Sequence, residues 1–274
     1  MIEIKDISYK YAGSRVNVFD HFSLTLNENS IYGLLGKNGT GKSTLLYLIS
    51  GLLRQQKGSV KVDGMESRER MPEMLREVFI VPEELELPPL SLESFVKLNE
   101  PFYPRFSHEL LQNCLKEFEL PADLKFNELS MGQKKKVYMS FALATNTKLL
   151  LLDEPTNGLD IPSKSQFRKV VASGMSDGRT IVISTHQVHD VEQLLDRIVI
   201  INNKQLLLNA STAAITSKYS FGYRMPSEMG SDVIYAEPTI QGNAVITLRE
   251  QGAEETPLNL ELLFNAVNKN LINQ

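Results

Sequence analysis

Two clusters of residues carry chemistry at recognisable spacing. The first, Gly36-Lys37-Asn38-Gly39-Thr40-Gly41-Lys42-Ser43, fits G-x-x-x-x-G-K-[ST]. Glycines lack the Cβ that would keep the backbone away from an anion. Successive N–H groups can therefore curl around a β-phosphate, while the helix that follows aims its positive end at the charge. Lys42 then reaches the β- and γ-phosphates, and the Ser43 hydroxyl ligates Mg²⁺. The cradle as read consists of Gly36, Asn38, Gly39, Thr40, Gly41, Lys42, Ser43 and Thr44. The second cluster is Leu149-Leu150-Leu151-Leu152-Asp153-Glu154-Pro155. Four leucines suit a parallel strand buried on both faces. A carboxylate at its C-terminal tip lies where open α/β sheets bind ligands. Asp153 is placed to hold Mg²⁺ and Glu154 to polarise a water that attacks the γ-phosphate. Alone, the second cluster would read as an acidic turn. Paired with the first, it reads as half of a nucleoside-triphosphatase site.

These clusters need a strand–loop–helix frame, and the hydrophobic periodicity supplies one. Residues 31–35 form an apolar run leading into Gly36, and residues 43–53 turn helical, ending at Gly51. Upstream, Ile2-Glu3-Ile4 and residues 22–26 alternate at period two, as do Val60 and Val62 before a turn at Asp63-Gly64. Ser91 N-caps a helix carrying Leu92, Phe95, Val96 and Asn99. After a break between Pro101 and Pro104, a second helix runs over 107–118 with Leu110, Leu111, Cys114, Leu115 and Phe118 on one face. Helices are predicted from Gly132 to about residue 144, over 163–173 and over 188–195. Strands are predicted over 148–152, 180–184, 198–201 and 205–208. Beyond residue 211, two short strands (233–235 and 245–248) precede a helix with the stripe Leu260, Leu263, Phe264 and Val267.

Composition narrows the field of partners. Hydrophobic residues make up 42% of the 274 residues and charged ones 23%, enough for a substantial core. A net charge of -4 gives no footprint for nucleic acid, and none is expected as partner. The run Lys134-Lys135-Lys136 reads as a solvated helix face. His186 and His189 have no third residue spaced to complete a metal site. The single cysteine, Cys114, excludes an intrachain disulfide and fits a reducing compartment. No apolar run approaches the ~18–20 residues of a spanning helix, and the N-terminal segment alternates like a strand instead of resembling a signal peptide. A cytoplasmic protein is expected, with any membrane role borrowed from a partner chain.

Leu129-Ser130-Met131-Gly132-Gln133 makes the reading specific, because it resembles LSGGQ, the signature loop of ATP-binding cassette proteins. The resemblance covers about residues 1–210 with its motifs in family order. It implies an α/β P-loop cassette with a mainly parallel core sheet, an N-terminal antiparallel β part and a helical subdomain inserted at about 84–146. Residues 211–274 are expected to form a small α+β appendage. ATP and Mg²⁺ are the implied cofactors. Ser130, Gly132 and Gln133 stand too far along the fold to reach the nucleotide held by Lys42. The family solves this with a head-to-tail dimer, here a homodimer or a heterodimer with another cassette. By the same resemblance, Asn157-Gly158-Leu159-Asp160 is the loop crossing the dimer interface, with Asp160 at the nucleotide. His186 is the switch histidine on the γ-phosphate, and Tyr11 is the ring that stacks on adenine. Two positions depart from the pattern. Met131 replaces a glycine, and Glu83 stands where the family has a lid glutamine; its carboxylate remains able to ligate Mg²⁺. The implied function is the motor of a transporter whose integral-membrane permease is a separate chain, peripheral on the inner face of the cell membrane. Export is favoured by resemblance to bacterial exporter subunits. The alternative, a soluble cassette acting on nucleic acid, ribosomes or cofactor assembly, is disfavoured by the absence of coiled-coil, zinc-bearing or tandem-cassette features.

Overall fold

The computed structural model describes residues 1–121, 123–250 and 252–272. Strands β1 (Ile2–Tyr9) and β2 (Phe19–Leu26) pair antiparallel, and the alternating burial of Phe22, Leu24 and Leu26 is what their period-two pattern requires. Next come β3 (Ile31–Leu35), helix α1 (Lys42–Ile49), β4 (Lys57–Val62) and the short β5 (Met65–Glu66). Together β2-β1-β4-β5 form a four-stranded sheet whose ladders are all antiparallel. Helix α2 (Pro72–Leu75) leads into β6 (Val78–Val81).

The inserted helices follow: α3 (Leu92–Asn99), α4 (His108–Glu117) and α5 (Met131–Ala144). Ser91 and Ser107 cap the first two, their hydroxyls accepting from the amides of Ser94 (3.2 Å) and Leu110 (3.1 Å). An aromatic cluster holds this unit to the main domain: Phe79 of β6 meets Tyr103 edge-on with centroids 5.5 Å apart and lies 5.8 Å from Phe141 of α5. Cys114 is 1% exposed on the inner face of α4, and burial pushes its thiol up to about 12.

The αβ alternation resumes with β7 (Leu149–Asp153), α6 (Ile161–Ser173) and β8 (Thr180–Thr185), then β9 (Arg197–Asn202) and β10 (Gln205–Ser211). The main sheet has the order β10-β9-β3-β8-β7-β6, parallel throughout except for the β10–β9 edge. Its strands are buried on both faces, and alternate residues feed two cores. Leu149, Leu151, Tyr32 and Leu34 pack towards α1 and the antiparallel sheet. Leu150, Leu152, Ile31 and Leu35 pack towards α5, α6 and the inserted helices. The expected cassette architecture is the one observed.

Besides α2, β5 and β6, for which the sequence pattern carries no expectation, three segments differ from the sequence expectation. The helix predicted over 188–195 is instead two 3₁₀ turns, Val188–Asp190 and Glu192–Leu194. Tertiary partners override local propensity there, since Asp190 pairs with Lys164 at 2.8 Å and Glu192 accepts the Leu260 amide at 2.7 Å. Helix α7 (Thr212–Lys218) and strand β11 (Tyr219–Arg224) were not anticipated. β11 joins β12 (Val233–Thr239) and β13 (Gly242–Leu248) in a three-stranded antiparallel sheet of order β11-β13-β12. Helix α8 (Leu260–Asn268) buries Leu260, Leu263 and Val267 against the same core as β9 and β10. Among the described residues, no helix is long and apolar enough to cross a membrane.

Candidate functional site

The glycine-rich loop links the C-terminal end of β3, a central strand, to α1. Gly36 is held by close approach, since a Cβ there would sit 2.7 Å from the Ile201 carbonyl oxygen. Gly41 is held by conformation: it caps α1 at φ 101°, with no side-chain acceptor for the first-turn amides. Those amides and the helix dipole leave the loop ready for an anion. A cleft of about 350 Å³ opens above it, lined by Tyr11, Val18, Asn38, Gly39, Gly41, Lys42, Ser43, Thr44, Glu83, Glu154 and His186. Residues from six separate segments thus surround one cavity. Gly36 and Thr40 do not line it. Gly36 accepts the Lys42 ammonium through its carbonyl at 2.9 Å, and the Thr40 hydroxyl bonds back to the Lys37 carbonyl at 2.8 Å.

Lys42 and Glu154 are both buried, at 7% and 4% exposure, and their charged ends lie 3.5 Å apart. His186 Nδ1 meets the same Glu154 oxygen at 2.9 Å, and the His186 amide donates to the other at 3.3 Å. Glu154 adopts a left-handed backbone, φ 43°, and its amide donates to the Ser184 carbonyl at 3.0 Å. Asp153, one residue earlier, accepts from the Ser184 hydroxyl through Oδ1. Its Oδ2 is buried and has no hydrogen-bond partner among the described residues. Burial raises the Asp153 pKa, with the Ser184 and Ser43 hydroxyls pulling it down. An orphaned carboxylate oxygen beside the Ser43 hydroxyl, with the Glu83 carboxylate on the same cleft, is an all-oxygen donor set that fits a small hard cation.

Tyr11 stands at the cleft mouth, 44% exposed, so it is not a core aromatic. It packs edge-on to Tyr9 (centroids 5.2 Å apart), and its hydroxyl bonds the Thr44 hydroxyl at 2.9 Å. Glu83 accepts from the Asn157 side-chain amide at 2.9 Å. It also lines a second, open groove of about 690 Å³ with Met131, Gly132, Lys135, Asn157 and Gly158.

The remaining sequence-predicted residues are not at the cleft. Ser130 caps α5 and Gln133 closes a capping box with it, their bonds measuring 3.3 and 3.0 Å. Asp160 caps α6 by accepting the Ser163 amide at 2.9 Å. Met131 is 67% exposed, so its side chain projects outward from the loop. His186 and His189 also part company, because His189 faces Glu261 at 2.7 Å.

Sequence reasoning missed one feature and misread another. Gln187 and Ser184 were not singled out, yet Gln187 donates to the Asn157 side-chain oxygen at 3.1 Å and Ser184 braces both Asp153 and Glu154. The lysine run is not a uniformly solvated face: Lys135 is 7% exposed and bonds the carbonyls of Glu154 (3.0 Å) and Asn157 (2.9 Å). Buried acceptors supply what water would have given. Lys136 lies over the Phe118 ring at 5.7 Å and donates to Gln166. The signal was faint: only α5's periodicity, which places Lys135 four positions before buried Met139 and seven before buried Ala142, pointed inward.

Known proteins resemble this chain in sequence and in fold. A profile described as ABC transporter matches residues 19–157. The Nod factor export ATP-binding protein I of Burkholderia lata is 30% identical over 259 residues, 90% of this chain and 80% of that protein. The methionine import ATP-binding protein of Carboxydothermus hydrogenoformans is 33% identical over 76% of this chain and 65% of its own length. A bacterial ABC transporter cassette solved as a dimer superposes with TM-score 0.67 at 27% identity, over 77% of this chain and 98% of that one. The same cassette has been solved in a post-hydrolysis state bound to ADP and Pi, and superposes with TM-score 0.66 at 25% identity.

Proposed function

We propose that this chain, which belongs to the ABC transporter family of ATP-binding subunits, closes on a second cassette around Mg-ATP to drive a separate integral-membrane permease, moving cargo outward. The chain is an ATP-binding and ATP-hydrolysing subunit. One observation carries the rest: the phosphate cleft and the signature loop are both formed, yet Ser130, Gly132 and Gln133 do not line the cleft. Each ATP then needs the signature loop of a neighbouring cassette, which a head-to-tail pair supplies.

Within the cleft, Lys42 exchanges its bond to the Gly36 carbonyl for the β- and γ-phosphates. Tyr11 stacks on adenine, its ring steadied by the Thr44 hydroxyl and the edge of Tyr9. Glu154, freed of Lys42, orients the attacking water and takes its proton, while His186 turns to the γ-phosphate. Ser43, Asp153 and Glu83 hold Mg²⁺, which offsets charge on the phosphate oxygens when bound. Glu83→Gln should keep hydrolysis, since an amide oxygen still accepts from Asn157, while shifting the Mg²⁺ concentration for half-maximal rate. A titration of ATPase activity against Mg²⁺ checks this; an unchanged rate and an unchanged metal dependence would remove Glu83 from the metal site.

Support for export comes from the extent of similarity, which runs over 90% of this chain with the Nod factor exporter subunit and 76% with the methionine importer subunit. Location at the inner face of the membrane follows from the need to touch both ATP and the permease. The test is co-purification of tagged Glu154→Gln protein, with ATP, from detergent-solubilised membranes of its host. A stoichiometric multi-span membrane protein is the expected result. Recovery only in the soluble fraction, with nucleic acid or ribosomes attached, would overturn the transport reading.

A further inference from the structure

The helix that begins at the signature loop is bolted to the active site of its own subunit by one buried amine. Lys135 lies little more than one turn into α5, at 7% exposure, where lysines are seldom found without a carboxylate partner. Its ammonium instead donates to two backbone carbonyls, those of Glu154 at 3.0 Å and Asn157 at 2.9 Å. Those carbonyls bracket the turn that follows β7. Three donors on a flexible stem suit this task, because they can bind carbonyls that diverge in direction. Burial lowers the Lys135 pKa, and the charges of Glu83, Glu154 and Asp153 act against that fall.

The clamped turn carries two things the reaction needs held in place. Glu154 sits in a left-handed conformation that persists only where surrounding contacts over-determine it. Asn157 spans the lid and the switch segment, donating to Glu83 and accepting from Gln187, which in turn accepts from Lys164 at 3.1 Å. The first turn of α5 approaches the same segment, since a Cβ on Gly132 would lie 3.8 Å from the Gly158 carbonyl oxygen.

We propose that Lys135 is a positioning residue that keeps the Glu154–Asn157 turn in register with the signature loop on its own helix. Contact of that loop with a neighbouring subunit's nucleotide is thereby felt at this subunit's general base. The inference rests on the head-to-tail reading given above.

The test compares Lys135→Met, Lys135→Arg and Asn157→Ala, alone and with Lys135→Met combined with Asn157→Ala, in the full chain. For Lys135→Met, kcat for ATP hydrolysis should fall about 10²-fold, the cost of an ångström-scale misplacement, while the Kd for a fluorescent ATP analogue stays within about twofold. Lys135→Arg, which keeps the donors, should recover part of kcat. The double variant should be no slower than the slower single one, because both act on one turn. The proposal falls if Lys135→Met leaves kcat unchanged. It falls equally if kcat and nucleotide affinity decline together in step with the melting temperature, with no recovery in Lys135→Arg. A wild-type chain that hydrolyses no ATP would instead sink the functional reading itself.

Discussion

Glu154→Gln should bind ATP, pair with a second cassette and stop. The amide keeps the shape of the side chain and an oxygen able to accept the His186 amide, now 3.3 Å from the carboxylate. What it loses is the proton-accepting charge, and with it the ~10²–10⁴ in rate that a positioned general base contributes. The same change removes a negative charge 3.5 Å from the Lys42 ammonium, so nothing in the variant opposes the phosphates more than before. Steady-state turnover and a sizing column run in ATP report the two halves of the expectation. Turnover near the wild-type rate would remove Glu154 from the role of base. A monomer that persists in ATP would count against a composite site between cassettes.

Lys42→Met should act on both the nucleotide and the empty protein. The ammonium donates to the Gly36 carbonyl in the cradle and neighbours Glu154. Losing a preorganised donor aimed at a transferring phosphoryl group costs about 10²–10³ in rate. ATP affinity should drop as well, by the 1.5–3 kcal/mol typical of roughly one charged hydrogen bond, about 10–10²-fold in Kd. The nucleotide-free protein loses the cation facing a buried carboxylate. Breaking such a pair costs about 3 kcal/mol at the lower end, which applies because His186 still faces Glu154. Nucleotide titration and denaturant unfolding measure the two effects. A variant with normal ATP affinity would place the phosphates elsewhere in the cleft.

Most of the frame was readable because its signals are local. The parallel strands carry residues buried on both faces, so they read as unbroken apolar runs such as Leu149 to Leu152. The inserted helices announce themselves through the Ser91 cap, which is formed as its position suggests, and through the apolar face of α4 carrying Leu111, Cys114 and Leu115. The phosphate loop was legible because glycine at Gly36 and Gly41 answers steric needs that few residues meet. What escaped depends on partners far away in sequence. Residues 188–195 have a helical pattern, yet Lys164 and the Leu260 amide claim Asp190 and Glu192 and hold the chain in 3₁₀ turns. Helix α7 had a cap signal in Ser211, whose hydroxyl accepts the Ala214 amide at 3.1 Å, but a helix of only 7 residues directly after a strand carries little periodicity. Lys135 escaped for a related reason: no pattern in sequence states that two carbonyls some 20 residues later will replace its water.

The lone cysteine has a practical consequence for following this protein in motion. Cys114 is shielded in the core with its thiol pushed up to about 12, so near neutral pH it offers neither access nor thiolate to a maleimide. A fluorophore or spin label can therefore be introduced without first stripping the native sulfur and disturbing the packing around α4. Ile161, 84% exposed at the start of α6 beside the 157–160 loop, is a suitable place for a new cysteine. Labels at that position on two copies would register their approach in real time, turning the opening and closing of the pair into a spectroscopic distance.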